Sequence, residues 1–543
     1  MKSSELFVKC LENEGVRYIF GLPGEENMDI LDALFDSPIE FVCTRQEQGA
    51  AFMADVYGRL TGKAGVCLAT LGPGATNLMT GVADAFLDRS PLVAITGQTG
   101  RELLHKESHQ NIDIVQTFKQ FTKWNARVGI SRTIPEVVRK AFKVSETEKP
   151  GPCHIEIPED VAAEEVEGEP LPVTGFKRPH TDHIVCRKAA EIIQQARRPI
   201  LLAGNGVIRG RASDALRKFV EKTRIPVANT FMSKGVLPSE SELSLSTIGL
   251  QSRDFISCGF DRADLIISVG YDFVEYAPSF WNRGKKPVVH IDFTPSEIDE
   301  YYIPQVEVIG DIAANLANMM NEIEPIEQDD FPRLLKTMVE DELKEYADDA
   351  SFPLKPQKIL YDIRRIMGRE DILISDVGAH KMWIARIYPA EEPNTTLISN
   401  GFAAMGFALP GAVCAKLIHP ERKVLAVCGD GGFLMSSHEL ETAVRMKLPF
   451  VILIFNDGKY GLIEWKQINR FGRTYGVSFG NPDFVQLARS FGAAGYRVQT
   501  AQELHPALKE AFAAKVPAVV DVPVDYRENI NLTEKLGRLI CYI

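Results

Sequence analysis

At 543 residues, with 45% hydrophobic and 25% charged side chains, the chain has length for three or four domains and an ordinary globular composition. That excludes a peptide, a collagen-like repeat and a mainly disordered or coiled-coil protein. Lys and Arg number 61 against 73 Asp and Glu, a formal −12, so no global positive charge favours nucleic acid or an anionic membrane as partner.

In chain order, short β-branched runs alternate with helical patterns, beginning with Gly65–Thr70, Pro91–Thr96 and Pro199–Ala203. This is the rhythm of parallel, doubly wound sheets. Polar, Pro- and Glu-rich stretches at 164–179 and 324–356 predict three α/β domains, about 1–165, 180–325 and 356–527, followed by a capping tail at 528–543. The N-terminus Met1–Glu5 has no apolar leader, and no stretch reaches the ~20 apolar residues that span a bilayer. The 9 cysteines form no CxxC pair and several lie in apolar runs, so reduced, core-packed thiols in a cytoplasmic protein are expected.

The most informative segment is Val424–Phe433, a buried-strand pattern ending in Gly429-Asp430-Gly431-Gly432, followed by Pro449–Phe455 ending in Asn456-Asp457-Gly458. Parallel strand ends face one crevice, so Asp430 and Asp457 can converge there. Two carboxylates beside glycine turns can hold Mg²⁺, leaving backbone N–H groups for a diphosphate. Either Asp-Gly turn alone reads better as a simple turn; the pair at this spacing is more specific.

On these residues the chain resembles the thiamine-diphosphate enzymes. Phe20–Gly24, Arg45–Ala54 and Gly72–Asn77 are similar to the pyrimidine-binding domain of the acetohydroxyacid synthase group. Ser399–Gly406 resembles that group's cofactor-bending loop, and Ser436–Ala443 the helix after its metal turn. Gly270–Asn282, His380–Arg386 and Pro523–Arg527 resemble the FAD-independent catabolic acetolactate synthases, and the Arg-Phe-Asp-Asp-Arg string usual in FAD-containing relatives is missing near residue 271. Two positions depart from the family pattern: Gln46 stands where His is usual, and Asp457 where Asn is usual.

The resemblance implies three doubly wound parallel-sheet domains (pyrimidine-binding, middle and diphosphate-binding) and a transferase that decarboxylates pyruvate and joins the hydroxyethyl unit to a second pyruvate, giving 2-acetolactate and CO₂. Glu47 is the implied catalytic carboxyl, hydrogen-bonded to the cofactor aminopyrimidine. Gly378, Ala379, His380, Ala403, Met405, Gly429, Asp430, Gly431, Gly432, Asp457 and Tyr460 are the implied thiamine diphosphate contacts; Asp430, Asp457 and the Lys459 carbonyl the Mg²⁺ ligands; Gln110 and Lys123 polar neighbours of substrate. Substrates would be pyruvate and other 2-keto acids, with FAD absent, no nucleic acid or membrane partner, a homodimer needed to complete each site and a homotetramer expected. Alternatives are an FAD-containing biosynthetic synthase, a 2-keto acid decarboxylase or carboligase with another acceptor, and a silent scaffold of the same fold. Ile463 occupies the place where decarboxylases carry a protonating carboxylate, with Glu464 one position on, and Trp465 is a candidate wall residue.

Gly204-Asn205-Gly206 with Gly210 echoes a dinucleotide loop but reads better as a tight turn. Gly476–Gly480 fits the nucleophile-elbow pattern without an entering strand, and His105 with His109 lacks the further ligands of a zinc site.

Overall fold

The computed structural model describes residues 1–175, 177–249 and 255–532. It contains three six-stranded sheets, and every strand pair within them is parallel.

The first sheet is built from β1 (Tyr18–Gly21), β2 (Glu40–Cys43), β3 (Gly65–Ala69), β4 (Leu92–Gln98), β5 (Trp124–Arg127) and β6 (Pro152–Pro158), in the order β2-β1-β3-β4-β6-β5. The second comprises β7 (Pro199–Ala203), β8 (Val227–Asn229), β9 (Ser244–Thr247), β10 (Leu265–Val269), β11 (Val288–Asp292) and β12 (Pro304–Ile309), ordered β12-β11-β10-β7-β8-β9. In the third, β13 (Ile372–Ser375), β14 (Thr396–Ile398), β15 (Val424–Gly429), β16 (Val451–Asn456), β17 (Ala494–Arg497) and β18 (Ala518–Pro523) lie in the order β14-β13-β15-β16-β18-β17. Strands such as β3, β7 and β15 are buried almost along their whole length, as expected of parallel strands covered on both faces.

Strand order reverses between β1 and β3 in the first sheet and between β13 and β15 in the third. Ligand crevices form beyond the carboxyl ends of strands at such reversals. The turns Gly21–Gly24 and Thr70–Gly72 lie at one, and Asp376–Gly378 and Asp430 at the other.

The chain forms two compact units. The first comprises residues 1–176, 401–420 and 436–448, and the second 177–400, 421–435 and 449–543. Residues 401–420 and 436–448 fall inside the 356–527 stretch that the sequence pattern treats as one domain, yet they join the unit of the first sheet. Helix Ala408–Ile418 packs on helix Glu47–Thr61 there, because its faces are almost wholly apolar or small.

Within the first unit, Arg59 is buried and its guanidinium bonds Asp55 and Asp88 at 2.7 Å each and Asp84 at 3.2 Å. Its planar face lies over Phe407, with 4.8 Å to the ring centroid. Asp88 also accepts the Gly401 N–H.

The polar stretch 324–356 is not a bare linker. Helix Phe331–Glu345 lies within it; of its residues at intervals of four, Leu335 is buried, and Val339 and Leu343 pack against the cores of the second unit. The tail begins with a 3₁₀ helix, Tyr526–Leu532, pinned by the Trp383 Nε1–H to Asn529 Oδ1 bond of 2.8 Å; residues 533–543 lie outside the described residues. Seven described cysteines are free thiols, but Cys258 is disulfide-bonded, in contrast to the expectation of reduced cysteines throughout. No helix among the described residues is long and apolar enough to cross a membrane.

Removing Arg59 leaves buried carboxylates without their shared cation. Arg59→Leu should destabilise the first unit by about 3–5 kcal/mol, seen as an earlier first transition in thermal or urea unfolding. A variant melting like the unaltered chain would show that the cluster contributes nothing net.

Candidate active site

In the first unit, β2 leads through Thr44–Gln46 into helix Glu47–Thr61. Gln46 is the N-cap: its Oε1 accepts the Gln48 N–H at 2.6 Å and the Gly49 N–H at 3.3 Å. The departure from histidine thus has a local role, because the side chain satisfies two of the helix's first N–H groups.

Glu47 is buried and its Oε2 accepts the Asn77 Nδ2–H at 3.0 Å. A Cβ at Gly74 would stand 2.9 Å from Thr70 Cγ2 and 3.3 Å from Glu47 Oε1, so glycine keeps the space beside the carboxyl open.

Glu439, which the sequence reading left without a role, braces the same turn. Its Oε1 accepts the N–H groups of Arg45 and Gln46 at 3.0 and 3.1 Å, and its Oε2 accepts the Thr442 hydroxyl at 2.7 Å. Burial pushes this carboxyl up to about 7. A glutamate at a helix start ordinarily reads as solvated, and only the tertiary contact reveals this function.

The loop before helix Ala408–Ile418 is conformationally unusual. Ala403 adopts φ +56° and Gly406 φ +89°, while Met405 is half-buried. Phe407 anchors the loop's end edge-on to Phe52, with 5.6 Å between ring centroids.

The structure does not join the two substrate candidates to this constellation by any hydrogen bond. Gln110 is exposed at φ +54°. Lys123 Nζ donates to the carbonyls of Val144 and Thr147 at 2.6 Å each, closing the carboxyl end of helix Ile134–Glu146. Burial of this ammonium pushes it down to about 8. A lysine at a helix carboxyl end is the arrangement that unsatisfied carbonyls and the helix dipole favour.

In the second unit, β15 and β16 are neighbours, so Asp430 and Asp457 emerge from adjacent strand ends. Asp430 Oδ1 accepts the Gly431 N–H at 2.8 Å; its Oδ2 accepts the N–H groups of Gly458 at 2.6 Å and Asp457 at 3.2 Å and the Asn481 Nδ2–H at 2.8 Å. Burial, then the neighbouring Asp430 and Glu464, push the Asp457 carboxyl up to about 7. Gly429 ends β15, and Gly432 lets the next helix approach Asp376, since a Cβ there would lie 3.1 Å from that carboxyl carbon.

Gly378 precedes helix Ala379–Ile387, in which Ala379 and His380 are buried. Burial pushes the His380 ring down to about 3, and its Nε2 has no hydrogen-bond partner. Tyr460 is 37% exposed and packs on Phe479, ring centroids 4.9 Å apart, so one edge remains open. The Lys459 ammonium bonds Glu464 at 2.7 Å.

Asn481, also missed by sequence reasoning, bridges Asp430 Oδ2 and Asn456 Oδ1, the latter at 3.0 Å. Its own Oδ1 is buried without a partner. It follows Gly476–Gly480, a loop segment rather than a nucleophile elbow, and nothing periodic marks it. Among the described residues no cluster of three or more His, Cys, Asp and Glu side chains is arranged for a metal, which includes His105 and His109. A cation here would therefore draw on Asp430, Asp457, main-chain oxygen and the oxygens of a bound diphosphate. A buried Asp430 beside a half-buried Asp457 that it repels, an unpartnered amide oxygen and adjacent glycine turns fit that combination.

Trp465 lies in the hydrophobic core of the second unit, 6% exposed, rather than on an open wall. The Gly204–Gly206 turn is closed from within: the Asn205 N–H donates to Glu275 Oε1 at 3.0 Å and the Gly206 N–H to the Gly270 carbonyl at 2.8 Å.

Gln46→Leu should cost about 0.5–2 kcal/mol through loss of the cap, with faster amide hydrogen exchange at Gln48 and Gly49. Unchanged exchange at those two amides would remove Gln46 from the capping role.

Three family models match the chain: the N-terminal thiamine pyrophosphate-binding domain over residues 1–117, the central domain over 186–319 and the C-terminal thiamine pyrophosphate-binding domain over 376–522. The chain is 37% identical to acetolactate synthase of Bacillus subtilis (strain 168), covering 99% of this chain and 96% of that protein. It is 36% identical to a catabolic acetolactate synthase of Raoultella terrigena over 98% and 97% of the two chains. A probable acetolactate synthase large subunit of Methanocaldococcus jannaschii is 35% identical, with 99% and 94% covered. With both strand-order reversals carrying the glycine and carboxylate turns described above, and near-complete overlap with these relatives, the chain belongs to the acetolactate synthase family of thiamine pyrophosphate enzymes.

Proposed function

We propose that this chain is an acetolactate-forming carboligase, which releases CO₂ from one pyruvate and joins the remaining two-carbon unit to a second. The observation that carries the proposal is the buried Glu47 carboxyl, held by Asn77 beside the space left by Gly74, in a chain similar to acetolactate synthases over nearly its whole length.

Thiamine diphosphate, when bound, supplies an electron sink for decarboxylation. Glu47 holds a proton at N1′ of the aminopyrimidine, and Asn77 fixes the carboxyl that does so. Ala403 and Met405 seat the pyrimidine through the strained loop. Gly378, Ala379, His380, Gly429, Gly431, Gly432 and Tyr460 line the diphosphate, while Asp430, Asp457 and the Lys459 carbonyl hold Mg²⁺. Glu47 belongs to the first unit and the Asp430 turn to the second; a homodimer, doubled to a tetramer, would complete each site with Glu47 from the neighbouring subunit.

Carboligation requires that protons be kept from the two-carbon unit before the second pyruvate arrives. Ile463 is apolar and 47% exposed, and the adjacent Glu464 is paired with Lys459. Neither is a ready proton donor. The roles of Gln110 and Lys123 are confined to lining the substrate approach, with Lys123 acting chiefly on the helix end it closes.

Independence from FAD is supported by the closed Gly204–Gly206 turn, where Glu275 and the Gly270 carbonyl take N–H groups that a dinucleotide phosphate would need, and where a carboxylate would repel it.

Purified protein given pyruvate, thiamine diphosphate and Mg²⁺ without flavin should yield one acetolactate per CO₂, with no flavin absorbance. Acetaldehyde as the main product would make it a decarboxylase instead. Glu47→Gln should lower turnover about 10²–10⁴-fold while leaving cofactor affinity nearly unchanged; near-normal turnover would remove Glu47 from the chemistry. Asn481→Leu should raise the Mg²⁺ requirement about 10–100-fold, read by titrating activity after chelation, and an unchanged requirement would confine Asn481 to packing.

A further inference from the structure

A cavity of about 560 Å³ opens in the second unit, and none of the residues assigned above to cofactor, metal or substrate lines it. Much of its wall is aliphatic, formed by Leu237, Leu245, Val339, Leu343, Met367 and Ile387. Lys234 lines it too, and this lysine is 5% exposed. Its ammonium donates to two neutral oxygens, the Ala385 carbonyl at 2.9 Å and the Thr247 hydroxyl at 3.2 Å.

Three of the other rim cations have acid partners: Arg369 pairs with Glu240 and Glu392, and Lys336 and Lys344 share Glu340. Arg364 donates to main-chain carbonyls, as Lys234 does, but is only half-buried. Glu391, the acid whose field reaches Lys234, already accepts the Ser239 hydroxyl and the Glu240 N–H. A buried cation without a paired anion is costly, and the cost is relieved when an anion enters beside it. Burial pushes this ammonium down to about 7.

We propose that the cavity binds an amphiphilic monocarboxylate, its head group pairing with Lys234 and an aliphatic body longer than that of pyruvate covering the Leu245, Val339 and Leu343 wall. Its volume lies within the roughly 300–1,000 Å³ of sites that enclose drug-sized ligands, too large for a three-carbon acid to fill. This site goes beyond the acetolactate reading and does not depend on it.

Octanoate, with uncharged 1-octanol as its control, tests the proposal by isothermal titration of the full chain. One octanoate per chain is expected, bound at least tenfold more tightly than 1-octanol. Lys234→Met should abolish that preference, and Val339→Trp, which fills the cavity while keeping Lys234, should lose both ligands. Equal affinity for the two probes, no octanoate binding, a preserved preference in Lys234→Met or unaltered octanoate binding by Val339→Trp would each overturn it. If Lys234→Met does not fold, the comparison between Val339→Trp and the unaltered chain decides.

Discussion

One guanidinium organises the first unit. Arg59 lies on the helix that begins at Glu47, while its partners Asp84 and Asp88 lie in and just beyond the helix that carries Asn77. Both ends of the Glu47–Asn77 bond are thus referred to a common buried charge cluster. Asp88 extends the cluster to the Gly401 N–H, and Phe407 stacks on the guanidinium, so the loop bearing Ala403 and Met405 is fixed by the same group. A buried cation among several carboxylates has few alternative arrangements, which makes it better suited to fixing geometry than to adding stability.

The second unit solves a different problem. Asp430 is saturated by donors, four of them within hydrogen-bond reach, whereas the neighbouring Asp457 is raised towards neutrality by burial and by its acidic neighbours. One carboxylate is held by the turn's own donors, and the charged form of the other is disfavoured by its surroundings. Glycine at 432 lets the helix that begins at Asp430 lie against Asp376.

The strands, their parallel order and the Gly/Asp turns were legible because buried parallel strands leave uninterrupted β-branched runs and their carboxyl ends need glycine. Glu439 and Asn481 were not, since each acts through partners distant in sequence, Arg45 with Gln46 and Asp430 with Asn456. Gln46 could be recognised as a departure but not explained, because capping depends on main-chain geometry. The resemblance implies Lys123 as a polar neighbour of substrate; its bonds to the carbonyls of Val144 and Thr147 at a helix end are contacts that the sequence does not display. The helix at Phe331–Glu345 was obscured by its polar surface, although Leu335, Val339 and Leu343 carry the periodic signal.

The interleaving of the two units has a consequence for how the molecule can be taken apart. The chain leaves the second unit after residue 400, returns at 421, leaves again after 435 and returns at 449. Neither unit is therefore one continuous stretch of polypeptide. Cutting out the third sheet as a separate fragment would carry away helix Ala408–Ile418 and Glu439 from the unit they complete, exposing the apolar side of helix Glu47–Thr61 and freeing the Arg45–Gln46 turn. Gene-level division at the polar stretch near residue 340 would yield two fragments, each lacking part of its own interior.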